Sequence, residues 1–387
     1  MSRPPCPDDC RDAILAQRLD PWARQPSVWR AVKHLAAGNI PPAPLAVELH
    51  LGTSCNLACP ECVSRPTLDS LHFERTRAVE LASELVALGV RNVVLSGGGE
   101  PLLQPAVDDV LKTLHRGNVT VSLVTNGTLL HEHTDAVVEC AARIWVSVDA
   151  ATPETHQRFR PSRSGRETFS QVVRNLEALA PKTRGRLTYS FLLLTRRNGS
   201  TGAVDSNVGD LAAAAALARE LGCSTFEVNL AFDDRLRVDP AHASVSEELR
   251  VQLQRAAKLG GPNFRVFVGQ LVTDVAEGRP PSELPSRRYD RCPGAMLRAL
   301  VSPRGVFLCP RHQGLEAARF GDPASAALAT LWGSDAHRRA LRLVDPRVDC
   351  DGACMSMELN EKLLAAIAHA RADAGDPELT TDDDLFL

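Results

Sequence analysis

The chain has 387 residues, 44% hydrophobic and 24% charged, with a formal net charge of -3; that is enough apolar mass for one large domain and a smaller one, and the balance excludes the basic surface of a general nucleic-acid binder. No apolar run approaches the roughly 18 residues of a membrane span. The start Met1-Ser-Arg-Pro-Pro-Cys-Pro-Asp-Asp lacks an export leader's apolar stretch, so the eleven cysteines are expected to be reduced, in a cytoplasmic setting that favours metal ligation over disulfides.

Eight prolines within residues 1–44 mark an N-terminal Pro-rich arm, with one short helix expected near Val28 to Ala37. From 45 to 240, β-rich runs alternate with amphipathic stretches. The candidate strands are Leu45 to Leu51, Asn92 to Ser96, Val119 to Thr125, Ile144 to Asp149, Leu187 to Leu194 and Thr225 to Leu230. Between them lie helix patterns at Thr76 to Leu88, Ala106 to His115, Thr168 to Leu179 and Asp210 to Leu221. Such a series implies parallel strands with helical crossovers, either an open doubly wound sheet or a partial barrel. Polar residues share one parity within a strand: Glu48 with His50, Ser147 with Asp149, Thr188 with Ser190, Glu227 with Asn229. Where helices cover the other face, that parity faces a lumen, and the expectation is a polar chamber.

Residues 241–291 read as a connecting segment with one or two helices and a possible strand at Phe264 to Val268. A second cysteine-bearing unit, 292–363, holds a β-hairpin from Arg298 to Leu308 that turns at Pro303-Arg-Gly305. Glu358 to Ala374 has a helical pattern; 364–387 comprise the end of that helix and an acidic tail from Asp376, expected to be mobile.

Cys55, Cys59 and Cys62 follow the first strand as C-x3-C-x2-C. Three close thiolates can hold three irons of a [4Fe-4S] cluster and leave the fourth open. A zinc site normally pairs C-x2-C with a second pair, and no fourth ligand follows within the next fifty residues. The second strand runs into Gly97-Gly-Gly-Glu-Pro101, where consecutive glycines let backbone groups approach a ligand's charged end.

Together, the cysteine triplet, Gly98-Gly99-Glu100-Pro101, Thr125-Asn126-Gly127 after the third strand and Ser147-Val-Asp149 on the fourth resemble the radical S-adenosylmethionine (SAM) superfamily over about residues 45 to 230. The resemblance implies a partial (β/α)6 TIM-like barrel, a [4Fe-4S] cluster on the three cysteines, and SAM chelating its open iron. Reductive cleavage then gives methionine and a 5'-deoxyadenosyl radical that abstracts hydrogen from substrate, with electrons from an external donor such as flavodoxin or ferredoxin. It also implies that Gly98, Gly99 and Glu100 hold the SAM amino group, that Ser147 and Asp149 lie near the ribose, and that Ser190 is a further contact to SAM or substrate. Glu61 stands where the family commonly has an aromatic residue.

Cys292, Cys309, Cys350 and Cys354 run C-x16-C-x40-C-x3-C. Four thiols suit either zinc or a fully ligated [4Fe-4S] cluster. The layout resembles the twitch extension of radical SAM enzymes, a shortened SPASM domain, which implies a second, auxiliary cluster in a small C-terminal α+β unit of hairpin plus helix. Were only three to bind, Cys309 or Cys354 would be left for chemistry. Cys140 and Cys223 each precede a strand, at the barrel end away from the chemistry, and read as packing residues. Cys6 and Cys10 belong to the arm. No remaining thiol is placed to return hydrogen to a substrate radical, which favours oxidation.

The function expected is therefore a radical SAM oxidoreductase of natural product biosynthesis, dehydrogenating a small polar substrate such as an aminocyclitol or sugar with the auxiliary cluster as electron acceptor. A peptide maturase and a sugar epimerase or dehydratase are the enzymatic alternatives; an iron-sulfur electron carrier is the non-enzymatic one. Arg160, Arg163 and Arg166 after the fourth strand are read as a solvated loop.

Overall fold

In a computed structural model, the chain is described over residues 19–197, 200–232, 237–279, 287, 289–350, 354, 357–372 and 375–380. Cys6 and Cys10 lie outside the described residues, as does the first part of the arm. The arm's helix is α1 (Pro26–Ala36).

All six expected strands are present. They are β1 (Ala46–His50), β2 (Asn92–Ser96), β3 (Thr120–Thr125), β4 (Ala141–Ser147), β5 (Leu187–Leu193) and, after a short antiparallel pair β6 (Thr195–Arg197) and β7 (Val204–Ser206), β8 (Thr225–Leu230). Each pairs in parallel with its predecessor in the sheet. The crossovers carry α2 (Arg75–Leu88), α3 (Val107–Arg116), α4 (Thr134–Cys140), α5 (Pro153–Phe159), α6 (Phe169–Thr183) and α7 (Leu211–Glu220). Helix α3 shows why they form: Val107, Val110, Leu111 and Leu114 recur on one buried face, with Asp108 and Asp109 in the first turn and His115 and Arg116 in the last, matching the helix dipole. Helix α2 stops at Gly89, whose left-handed φ of 80° lets its N–H cap Leu85 and Val86.

The sheet is wider than expected. Past α8 (Ser246–Ala257), β9 (Arg265–Val268) adds in parallel to β8 and is followed by α9 (Gln270–Ala276). The anticipated hairpin is β10 (Arg298–Ser302) and β11 (Gly305–Phe307), extended by β12 (Arg319–Gly321). It does not form a layer of its own: β10 pairs in parallel with β1, Ala46 opposite Arg298. The result is one sheet in the order β12-β11-β10-β1-β2-β3-β4-β5-β8-β9, an open partial barrel.

Alternation along the strands sorts the two faces. Val47, Leu49, Val93, Leu95, Val121, Leu123, Ile144, Val146, Tyr189, Phe191, Phe226 and Val228 are buried in the core under the helices. Each such aliphatic or aromatic side chain contributes about 1.5–3 kcal/mol by leaving water. The register places Glu48 and His50, Ser96, Trp145 and Ser147, Thr188 and Ser190, and Glu227 and Asn229 on the opposite face, where Ser96 Oγ donates to Glu48 (2.7 Å) and Trp145 Nε1 to Glu227 (2.7 Å). The polar lumen read from parity is thus the inner face of one curved sheet.

After α10 (Asp335–Leu343), the helix α11 (Met357–Arg371) packs on α1, sharing a small core of Trp29, Val32, Leu35, Leu297, Leu363 and Ile367. The tail departs from expectation over its described part. Asp376 accepts from Trp29 Nε1 (2.9 Å) and Lys33 Nζ (3.1 Å), and Thr380 N donates to Arg24 O (3.1 Å), so residues 375–380 are docked on the arm. No described helix is long and apolar enough to cross a membrane.

Candidate active site

The cysteine loop starts where β1 ends. Leu57, fully buried, anchors its middle in the core, while Cys55, Cys59 and Cys62 remain free and half-buried, within electrostatic reach of one another. Burial pushes the Cys59 thiol up to about 11 and raises that of Cys55; a metal binding them as thiolates displaces those protons. Three thiols on one short loop offer one ligand to each of three irons, which fits a polynuclear cluster.

Forty residues on, the glycine turn is folded against the start of that loop. Glu100 N donates to Ser54 O (2.8 Å). A Cβ on Gly99 would stand 1.9 Å from the same carbonyl oxygen, and one on Gly98 would meet Thr53 at 3.2 Å and His50 Nδ1 at 3.5 Å. His50 Nδ1 is buried without a hydrogen-bond partner in the described structure, its Nε2 being engaged by Glu48 at 2.8 Å. A glycine-lined cradle with an unpartnered polar atom beside the cysteine loop fits the amino-acid end of SAM.

Glu100 is buried, with both oxygens occupied. Oε1 accepts from Leu102 N (3.1 Å) and Thr125 Oγ1 (2.6 Å), Oε2 from Asn126 N (2.7 Å). Burial still raises its pKa. The carboxylate therefore ties the glycine turn to Thr125-Asn126-Gly127. Asn126 Nδ2 continues to Asn56 Oδ1 (2.8 Å) and lies 4.0 Å from Cys55 Sγ. Gly127, at φ 78°, would carry a Cβ 2.5 Å from Val146, so only glycine suits that turn.

We expect Gly99→Ala to abolish SAM binding in isothermal titration while the iron content of the four-cysteine centre is kept, because the new methyl collides with rigid backbone and must displace the turn. Unchanged SAM affinity would show that the turn does not form the cradle.

Two residues past the fourth strand stands a left-handed residue, Asp149 (φ 60°), and its buried carboxylate holds two groups. Oδ1 accepts from Leu192 N (2.7 Å) and Oδ2 from Arg160 Nη1 (2.6 Å). Arg160 is largely buried, within electrostatic reach of Cys55 and Cys59. The segment after it straps the cysteine loop: Ala58 N donates to Pro161 O (2.7 Å), Arg163 N to Asn56 O (3.0 Å) and Arg163 Nε to Cys55 O (2.9 Å). The solvated-loop reading fails for Arg160, which Asp149 draws inward; Arg163 and Arg166 are exposed as expected, although Arg163 also bonds the backbone of the cysteine loop. The strap carried no signal in the sequence, whereas Asn126 was marked there only as part of Thr125-Asn126-Gly127, with no indication of its bond to Asn56.

Ser147 and Ser190 are register partners on the lumen side of β4 and β5. Beyond them, at the carboxyl ends of the strands, opens a cavity of about 520 Å³ whose wall includes Glu61, Cys62, Arg65, Arg196, Phe232 and His242. Glu61 pairs with Arg196 (3.3 Å) of β6, and burial raises its pKa.

The second set of cysteines also converges. Cys292, Cys309 and Cys354 lie around the Arg298 guanidinium, and Cys350 within reach of Cys292 and Cys309. Arg298 Nη2 stands 3.1 Å from Cys309 Sγ, His312 Nε2 3.2 Å from Cys350 Sγ, and Asn360 Nδ2 3.3 Å from Cys292 Sγ. All four are free, and four thiols can offer one ligand to each iron of a [4Fe-4S] cluster. Cys140 and Cys223 are buried at the opposite ends of β4 and β8.

Residues 49–201 match the sequence profile of the Radical SAM superfamily. The chain is 27% identical over 350 residues to the AdoMet-dependent heme synthase of Methanosarcina barkeri (strain Fusaro / DSM 804), covering 86% of this chain and 94% of that one. It is 28% identical over 276 residues to the mycofactocin maturase MftC of Mycobacterium ulcerans (strain Agy99), 69% of each chain. Its fold is similar to that of Streptococcus suis SuiB, solved bound to S-adenosylmethionine, with a TM-score of 0.60 at 14% identity over 92% of this chain and 80% of that one.

Proposed function

Because this chain belongs to the radical SAM superfamily, with a [4Fe-4S] cluster, SAM and an auxiliary cluster as its cofactors, we propose that it oxidises a small polar substrate by two electrons. When bound, the first cluster and SAM would supply a 5'-deoxyadenosyl radical for hydrogen abstraction, and the auxiliary cluster would be the acceptor for the second electron of the oxidation, the proton going to solvent. Cys55, Cys59 and Cys62 would hold the first cluster, and Cys292, Cys309, Cys350 and Cys354 the second. Gly98 and Gly99 would receive the SAM amino-acid end, Glu100 and Asp149 would hold the turns that shape its site, and Ser147 and Ser190 would face its ribose or the substrate. An external one-electron donor of the flavodoxin or ferredoxin kind would supply the reducing electron.

The observation that carries this reading is the cavity beside Cys62, whose mixed wall sets charged and polar groups among prolines and Phe232. Its volume is that of a small-molecule site. Two buried atoms of its wall, Glu61 Oε2 and His242 Nδ1, lack hydrogen-bond partners in the described structure. His242 Nε2 donates to Ala231 O (3.1 Å), so Nδ1 is an acceptor, as is the Glu61 carboxylate. A wall that offers acceptors suits the hydroxyls and amines of a sugar or aminocyclitol. A second reading, modification of a peptide, is favoured by the similarity to the mycofactocin maturase.

Incubation of the reduced protein with SAM and candidate substrates is expected to yield 5'-deoxyadenosine by mass spectrometry, with a product 2 Da lighter than its substrate. In deuterated water no solvent deuterium should appear at the oxidised carbon. Retained deuterium at unchanged substrate mass would replace oxidation by epimerisation, and turnover of peptides alone would select the maturase reading.

A further inference from the structure

The donors around the two sets of cysteines are unequal. Three of the four C-terminal sulfurs have an N–H group within 3.3 Å, each from a different element. Arg298 sits on β10, whose pairing with β1 fixes its backbone. Asn360, on α11, is fully buried and held in place by Gly294 N (2.9 Å) at its Oδ1 and by Tyr289 Oη (2.8 Å) at its Nδ2. His312, also buried, follows Cys309 in a single helical turn; facing a thiolate, its Nε2 carries the proton. At the first set, the hydrogen-bond contacts among the described residues are longer and both fall on Cys55, Leu57 N at 3.4 Å and Asn126 Nδ2 at 4.0 Å, and the cation within reach there, Arg160, gives its Nη1 to Asp149 and makes no described hydrogen bond to a sulfur.

Reducing an iron-sulfur cluster adds negative charge that spreads onto its sulfurs. Donors aimed at those sulfurs stabilise the reduced form and raise the potential, all the more where the donor is a cation in a poorly polarisable interior.

We infer that Arg298, His312 and Asn360 are positioning residues that set the C-terminal cluster at a higher reduction potential than the cluster on Cys55, Cys59 and Cys62, so that electrons run from the substrate side toward it. The inference rests on the proposed ligation by Cys292, Cys309, Cys350 and Cys354. It fixes a direction: the first centre needs a strong external reductant, whereas the second is an electron acceptor built into the chain.

The test is redox titration followed by electron paramagnetic resonance on the anaerobically reconstituted full chain, and on the same chain with Cys55, Cys59 and Cys62 replaced by alanine, which isolates the second centre. The isolated centre is expected to titrate above the signal lost with the three cysteines. In that background His312→Phe and Asn360→Leu should each lower its potential, with the reduction equilibrium moving by roughly tenfold, ~59 mV for one electron. His312→Gln, which keeps an N–H at similar reach, should stay near the parent. Iron retained with potentials unmoved in His312→Phe and Asn360→Leu would overturn the inference while leaving the ligand assignment intact. Absence of iron from the triple-alanine protein would remove the ligand assignment, and the inference with it.

Discussion

Replacing Cys55, Cys59 and Cys62 by alanine should lower the iron content of the anaerobically reconstituted protein from about eight to about four per chain and reduce 5'-deoxyadenosine formation to background. The size of the effect follows from the site's construction. The glycine turn, the Thr125-Asn126-Gly127 turn and the 160–163 strap all contact the cysteine loop, so the loss of its three thiols removes the centre these turns are built around. Circular dichroism should show the helices retained, since Leu57 and the core beneath it are untouched. Iron counting and mass spectrometry of the nucleoside check the two halves separately. Continued 5'-deoxyadenosine formation would overturn the assignment of the radical-generating centre; a fall to zero iron would remove the second cluster.

Arg160→Leu should destabilise the chain by about 3–5 kcal/mol, because it leaves the Asp149 carboxylate buried without its cation. The carboxylate is almost wholly shielded, and its other oxygen is already taken by Leu192 N, so water cannot readily replace the guanidinium. Asp149→Asn in the same chain should recover part of the loss, since the amide carries no charge to bury and can still accept from Leu192 N; the pair must therefore be non-additive in a double-mutant cycle. Guanidinium unfolding of the anaerobic protein measures both. The strap should loosen as well, seen as faster amide exchange at Ala58 and Arg163. Single and double variants with simple additive losses would show that Arg160 and Asp149 do not act as a pair.

Much of the frame was legible because a parallel sheet under helices writes its two faces as two parities. Val47 and Leu49 against Glu48 and His50, or Tyr189 and Phe191 against Thr188 and Ser190, separate core from lumen with no tertiary information. Helices α4 and α5, of seven residues each, escaped because two turns are too short for a periodicity to emerge. The extra strand β9 was visible as an apolar run, but its place beside β8 depends on a long-range pairing that local pattern does not encode. The elements of the candidate site that could be read in advance are those with close spacing, the Cys55-Cys59-Cys62 triplet and the glycine turn, which the fold brings side by side.

The candidate site was illegible where one residue is distinguished only by how the backbone bends. Arg160, Arg163 and Arg166 look alike in sequence; the left-handed Asp149 sends the first inward and leaves the last in solvent. The docked tail escaped for a different reason, since the Trp29 and Lys33 partners of Asp376 are more than 340 residues away along the chain.

The pairing of β10 with β1 bears on how fast an electron can cross the molecule. Tunnelling rates fall steeply with distance, and here main-chain hydrogen bonds of a single sheet join β1, which leads into the first cysteine loop, to β10, which lies between Cys292 and Cys309. On the proposed reading, a substrate would then influence electron transfer through the energies of the two centres, while the β1–β10 pairing holds the strands beside them in fixed register.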